Sequence, residues 1–195
     1  MTETWKRARK ALVDNQDQAA LEYYMLLREE DEKNEEANYM AYSSLCSTYI
    51  DQNASNRDKN LAFTAVSDQL AVAIPYIAAS EGSKEDKLIV IARFAGMYGP
   101  LADYAVKTPI ATPAERIQMA VAAFYNAGNA IEKAFPDDAS ALVVAVHLWK
   151  EGIKLQRKFY SYSYGGEKAE DYAAKIQKVE PGYEMPKKAG CISFG

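Results

Sequence analysis

Residues 112–135, TPAERIQMAVAAFYNAGNAIEKAF, decide the fold of this chain. Within them Ile117, Val121, Phe124, Gly128, Ile131 and Phe135 recur at the 3.6-residue period of an α-helix. Ala120, Ala123, Ala127, Ala130 and Ala134 flank that stripe, so neighbouring helices can pack on two sides. Thr112 is placed to accept from the open N–H groups of the first turn. Pro113 suits the first helical position, where a missing N–H loses nothing, and Glu115 can reach back to complete a capping box. The stretch reads as a buried helix with a sharp start.

The same period extends in both directions. It predicts helices over 5–13, 18–30, 35–50, 58–79, 84–106, 113–135, 138–160 and 167–179, with no sustained period-two alternation of the kind a strand shows. Leu142, Val146, Trp149 and Ile153 form a second clear apolar stripe. Ser83 with Asp86 is a box-like helix start, Asn56 and Asp137 are further caps, and Gly165-Gly166 is a stop. Pro75 and Gly99-Pro100 fall inside helical patterns and are expected to kink or split them. The chain is therefore expected to be all-α, with a helical domain over 1–180 and an extended tail over 181–195, where Pro181 and Pro186 interrupt any periodicity.

Composition narrows the function classes. The 195 residues are 49% hydrophobic and 26% charged, the balance of a chain that buries a core. A net charge of −4 offers no basic field for nucleic acid or an anionic membrane surface, so neither is expected as a partner. The basic stretch 1–10 has no apolar run behind it, and the most apolar runs, 88–91 and 142–149, are too short to span a bilayer; a cytoplasmic protein is expected. Two cysteines, one in a helical pattern and one in the tail, fit free thiols in a reducing compartment.

The first fifty residues carry a register of their own. Trp5, Ala8, Leu12, Ala20, Tyr24 and Leu27 are followed by a turn through Asp31 to Ala37, and Tyr39 and Tyr42 then open another helix. This pattern resembles the tetratricopeptide repeat, a helical hairpin about 34 residues long, here with Glu32 where proline is common. The resemblance implies a right-handed stack of about four antiparallel helical hairpins. It also implies protein or peptide binding on a concave face lined by the first helix of each hairpin. By position that face would hold Trp5, Arg9, Leu12 and Val13, then Tyr39, Ser43, Cys46 and Ser47. Trp5 and Ser43 stand where the carboxylate-clamp subset of the family has lysine and asparagine. The tail, with Gly190-Cys191-Ile192, is similar to the junction that precedes a small Cys-Phe-Ile-box domain in bacterial proteins, and departs from it at Ser193 to Gly195.

Catalytic chemistry finds little support. The lone histidine, His147, would have to serve any Ser-His-Asp, Cys-His or histidine-metal site alone, and a packing or helix-surface role is the plainer reading. No phosphate loop or dinucleotide glycine pattern occurs, and the acidic run from Glu29 to Glu36 lacks Ca²⁺-loop spacing and reads as a solvated turn. Lys150, Lys154, Arg157 and Lys158 share one helix face, which either meets an acidic partner or pairs with nearby carboxylates. Tyr160 to Gly166 is tyrosine-rich, read as aromatic packing at a helix end or as a recognition segment. The expectation is a non-enzymatic scaffold without a cofactor or metal that binds a protein or peptide through Trp5, Arg9, Leu12, Tyr39, Ser43 and Cys46 and through the four cations. The alternatives are a small apolar ligand held near Pro75 and Gly99-Pro100, and a structural or homo-oligomeric module of a larger protein.

Overall fold

The computed structural model describes residues 1–107, 113–158 and 168–188. The described residues are all-α, with helices α1 (Glu3–Val13), α2 (Asp17–Glu30), α3 (Glu35–Asp51), α4 (Asn56–Ala79), α5 (Lys84–Lys107), α6 (Pro113–Ala134), α7 (Ala139–Lys158) and α8 (Ala169–Val179). By its internal contacts the chain divides into two compact units, Met1–Tyr104 and Ala105–Gly195, where the sequence pattern suggested one domain over 1–180. Thr112, Gly165-Gly166, the Tyr160 to Gly166 segment and Cys191 lie outside the described residues.

Capping chemistry sets the helix ends of the first unit. The Thr2 and Asn34 side chains accept from the N–H groups of Trp5 and Ala37 at 3.2 and 3.0 Å. Ser83 accepts from Asp86 N–H at 3.1 Å, as its spacing predicts. The cap of α4 is Ser55 rather than Asn56: its hydroxyl accepts from Asp58 N–H at 3.2 Å and donates to the Asp58 carboxylate at 2.6 Å. Helices α1 and α3 end without glycine. Asn15 and Asn53 take left-handed backbone, φ 59° and 52°, and the following amides return to Ala11 and Tyr49 carbonyls at 2.8 and 3.0 Å.

Neither internal proline breaks its helix. Helices α4 and α5 run through Pro75 and Pro100, both exposed, and the carbonyls that the rings crowd belong to Ala71 and Gly96. By length and composition α4 would reach across a bilayer, the one such helix among the described residues; its Phe63, Val66, Leu70 and Ile74 are buried in the first unit. Helix α1 packs on α2, α2 on α3 and α3 on α4. Helix α5 brings Phe94 onto Tyr39 at 4.4 Å and Tyr24 at 6.1 Å between ring centroids, and Tyr98 onto Phe63 at 5.9 Å. It therefore touches both the first and the second helix pair.

The second unit is organised by two short patterns, Tyr125-Asn-Ala-Gly128 on α6 and Trp149-Lys-Glu-Gly152 on α7. Gly128 faces the Trp149 indole and Gly152 faces the Tyr125 ring, so each aromatic fills the notch left by the other helix's glycine. The reciprocal order of those contacts makes the two helices antiparallel. Tyr172 of α8 closes the cluster, stacked on Tyr125 at 3.7 Å and tilted against Trp149 at 6.0 Å. The cap of α7 is Asp138, accepting from Ala141 N–H at 3.0 Å, while Asp137 sits at φ 61° in the turn before it.

A Cβ at Gly128 would lie 2.4 Å from Trp149 Nε1 and 3.1 Å from the Ala145 carbonyl. Gly128→Ala is expected to lower stability by about 2–3 kcal/mol through overpacking. Nothing lies within 4 Å of a Cβ at Gly96, so Gly96→Ala is expected to raise it by about 0.5–1 kcal/mol. Urea unfolding followed by the Trp149 signal in a Trp5→Phe background, and by Trp5 in a Trp149→Phe background, separates the two units.

Candidate functional site

The sequence-selected residues of the first unit gather, but in the interior. Arg9 is 5% exposed and Glu36 is fully buried. The Arg9 Nε donates to both Glu36 carboxylate oxygens at 3.2 and 3.0 Å, and Nη2 also bonds that carboxylate. Its remaining donors go to the Glu81 carbonyl at 2.9 Å and the Ser80 hydroxyl at 2.6 Å, in the turn between α4 and α5. Tyr24 donates to Glu36 Oε2 at 2.9 Å, and the Trp5 ring lies 4.8 Å from the guanidinium. The partners come from α1, α2, α3 and the α4–α5 turn.

Of the positions carried over to a concave face, Arg9, Leu12, Tyr39 and Cys46 lie in the interior, while Val13 is half-buried and Ser47 exposed. Leu12 and Tyr39 are fully buried and Cys46 is 2% exposed. The Tyr39 hydroxyl donates to the Phe94 carbonyl at 2.7 Å, so α5 occupies the side of α3 that the family resemblance would leave open. Trp5 and Ser43 are half-buried, and Trp5 leans on Tyr76 at 5.8 Å. Burial pushes the Cys46 thiol up to about 11 and holds the Tyr24, Tyr39 and Tyr98 phenols above their ordinary value of 10.0. At neutral pH Cys46 is a protonated thiol, not a nucleophile.

The cations of α7 meet carboxylates in their own unit. Lys150 reaches Glu180 at 2.5 Å, Lys154 reaches Glu151 at 3.2 Å, and Arg157 reaches Glu170 at 3.6 Å; Lys158 is exposed. Lys150 also lies 5.3 Å from the Tyr183 ring, which fastens the start of the extended segment. His147 is exposed on α7.

Two recesses open on the first unit. One, of about 330 Å³, lies beside α1 and the start of α5, among Met1, Lys6, Lys10, Val13, Gly82 and Asp86. Its charges are largely met internally, since the Met1 amine bonds Glu81 at 3.0 Å and Lys10 bonds Asp14 at 2.9 Å. The other is an open cleft of about 490 Å³ between α2 and α3, lined by Met25, Arg28, Glu29, Glu32, Asn38 and Tyr42. Neither is lined by Pro75 or Gly99-Pro100, where a ligand was expected.

The α2–α3 cleft is built from one turn-spaced row on each helix. Met25 and Glu29 face it from α2, Asn38 and Tyr42 from α3, and the α3 row continues to Leu45, which is 41% exposed. Asn38 holds one end by donating to the Glu32 carbonyl at 3.0 Å and accepting from Arg28 Nε at 3.1 Å. The Arg28 guanidinium is thereby held 5.7 Å from the Tyr42 ring. The carboxylates of Glu29 and Glu32 have no ion-pair partner among the described residues. Sequence reading missed this cleft, although Leu45 gave a signal: it stands on an exposed helix face where a polar residue costs less.

Removing one member of the buried ion pair strands the other, so Arg9→Met and Glu36→Leu are each expected to lower stability by about 3–5 kcal/mol. The double variant loses less than the sum, read by urea denaturation as a double-mutant cycle. Because Cys46 and the three phenols ionise only in the unfolded chain near pH 9–10, stability is expected to hold up to about pH 9 and fall above it. Urea titrations from pH 7 to 11 check the sign, and iodoacetamide at pH 8 leaves native Cys46 unmodified. No protein-family model, curated protein or solved structure matches the chain.

Proposed function

We propose that this chain is a non-enzymatic helical scaffold whose α2–α3 cleft holds a segment of a protein partner. The carrying observation is an open recess in which Met25 and Tyr42 remain solvent-accessible beside a guanidinium bonded to Asn38, with Leu45 exposed further along α3. Half-exposed aromatic and aliphatic side chains in one concave row, with a polar rim, have the make-up of a recognition surface. On this reading the pairs α1–α2 and α3–α4 are two tetratricopeptide-like hairpins, with the partner between them on the outer side, since α5 covers the inner one. The acidic net charge favours a protein over nucleic acid and suits a cytoplasmic setting. The protonated Cys46 and the surface position of His147 support a binding rather than a chemical role.

A photo-crosslinking amino acid placed at position 45 in living cells tests the reading, with position 143, an exposed valine of α7, as control. The expected result is a discrete adduct from position 45 that position 143 does not give and that Tyr42→Ala abolishes. Identical adducts from both positions, or none from position 45, overturn the proposal.

A further inference from the structure

Resting on that reading, we infer that the cleft takes a cationic partner segment, one whose lysines or arginines flank an apolar anchor. The argument is charge complementarity in a mostly polar recess that also presents Met25 and Tyr42. Met25 and Tyr42 line the recess of about 490 Å³, and the exposed Leu45 continues the α3 row beyond it, so the three offer surface for one or two apolar side chains. Glu29 and Glu32 stand at its edge with their carboxylates unpaired, while other acidic groups of the region are engaged. Glu30 accepts from Thr4 at 2.7 Å, Glu22 accepts from Gln18 at 3.1 Å, and Glu36 is closed inside the Arg9 network. The one cation lining the cleft, Arg28, is exposed, bonded to Asn38 and 5.7 Å from the Tyr42 ring, so the lining sets two carboxylates against one guanidinium and its balance is negative. An anionic segment would bring its charge against both of them. A cationic one satisfies them while its apolar side chain covers Tyr42.

Fluorescence anisotropy with three synthetic peptides of about a dozen residues decides the matter: one with lysines flanking a Leu-Phe pair, one with glutamates in place of the lysines, and one with alanines in place of Leu-Phe. The lysine peptide is expected to bind saturably. Its affinity falls about tenfold or more with Glu29→Lys/Glu32→Lys and with Tyr42→Ala, and falls as salt is raised. The other two peptides bind at least about tenfold more weakly. Circular dichroism of the exposed Glu29→Lys/Glu32→Lys protein confirms that its fold is kept. Equal binding of the glutamate peptide, or an affinity within twofold after reversal of both carboxylates, overturns the inference. So does the absence of saturable binding, or a self-association seen by light scattering that Tyr42→Ala removes, since the cleft then holds a second copy. A position-45 adduct in cells combined with any of those peptide results leaves the scaffold reading standing and the cationic partner refuted.

Discussion

The buried guanidinium of Arg9 constrains the first unit more than any apolar contact does. A charge taken out of water is tolerated only where its donors are all met, and here the acceptors are spread over α3 and the α4–α5 turn, with Tyr24 of α2 completing the carboxylate. Sliding α3 by one residue against α1 would separate the two charges inside the core, whereas a purely apolar contact would tolerate the shift. The network thus fixes register among segments up to 72 positions apart in sequence. Its contribution is to specificity first, since an apolar pair of similar volume often gives equal stability.

That constraint has a consequence for where a partner can bind. With Arg9 and Glu36 locked and the turn before α5 held to them, α5 lays Phe94 and Tyr98 over Tyr39, Tyr24 and Phe63. The inner side of α3, which a regular repeat array would leave as a trough, becomes core. The outer seam of α2 and α3 stays accessible, and the residues there keep the mixed character of a surface that is half covered.

Much of the helical layout was legible because it rests on local chemistry. The stripe Ile117, Val121, Phe124 and Ile131 is buried as its period predicts, and Ser83 caps α5 through Asp86. What the sequence did not reveal was local too but less often used: the left-handed asparagines Asn15 and Asn53 that close α1 and α3, and helices that run on through Pro75 and Pro100 rather than splitting. The site was hidden for another reason. Whether Tyr39 faces solvent or Phe94 depends on a helix 55 positions away, and neither spacing nor family register carries that information. The notched pairs Tyr125 with Gly128 and Trp149 with Gly152 were open to reading, for an aromatic three residues before a glycine on consecutive helices encodes an antiparallel fit.

The two units bring helices together by opposite means, and the difference explains why the cleft belongs to the first. In the second unit glycines admit whole rings into the opposing helix, so α6 and α7 approach closely and the Trp149 indole N–H rests on Gly128 with no hydrogen-bond acceptor of its own. Close approach leaves no space between the helices for another chain. In the first unit Tyr24 of α2 donates to Glu36 of α3 at the buried side, and Asn38 of α3 donates to the Glu32 carbonyl and accepts from Arg28 at the outer side. A polar contact at the base of two helices and long side chains at its rim make a groove as a matter of geometry. The character of its occupant is then set by the two carboxylates that the fold does not pair.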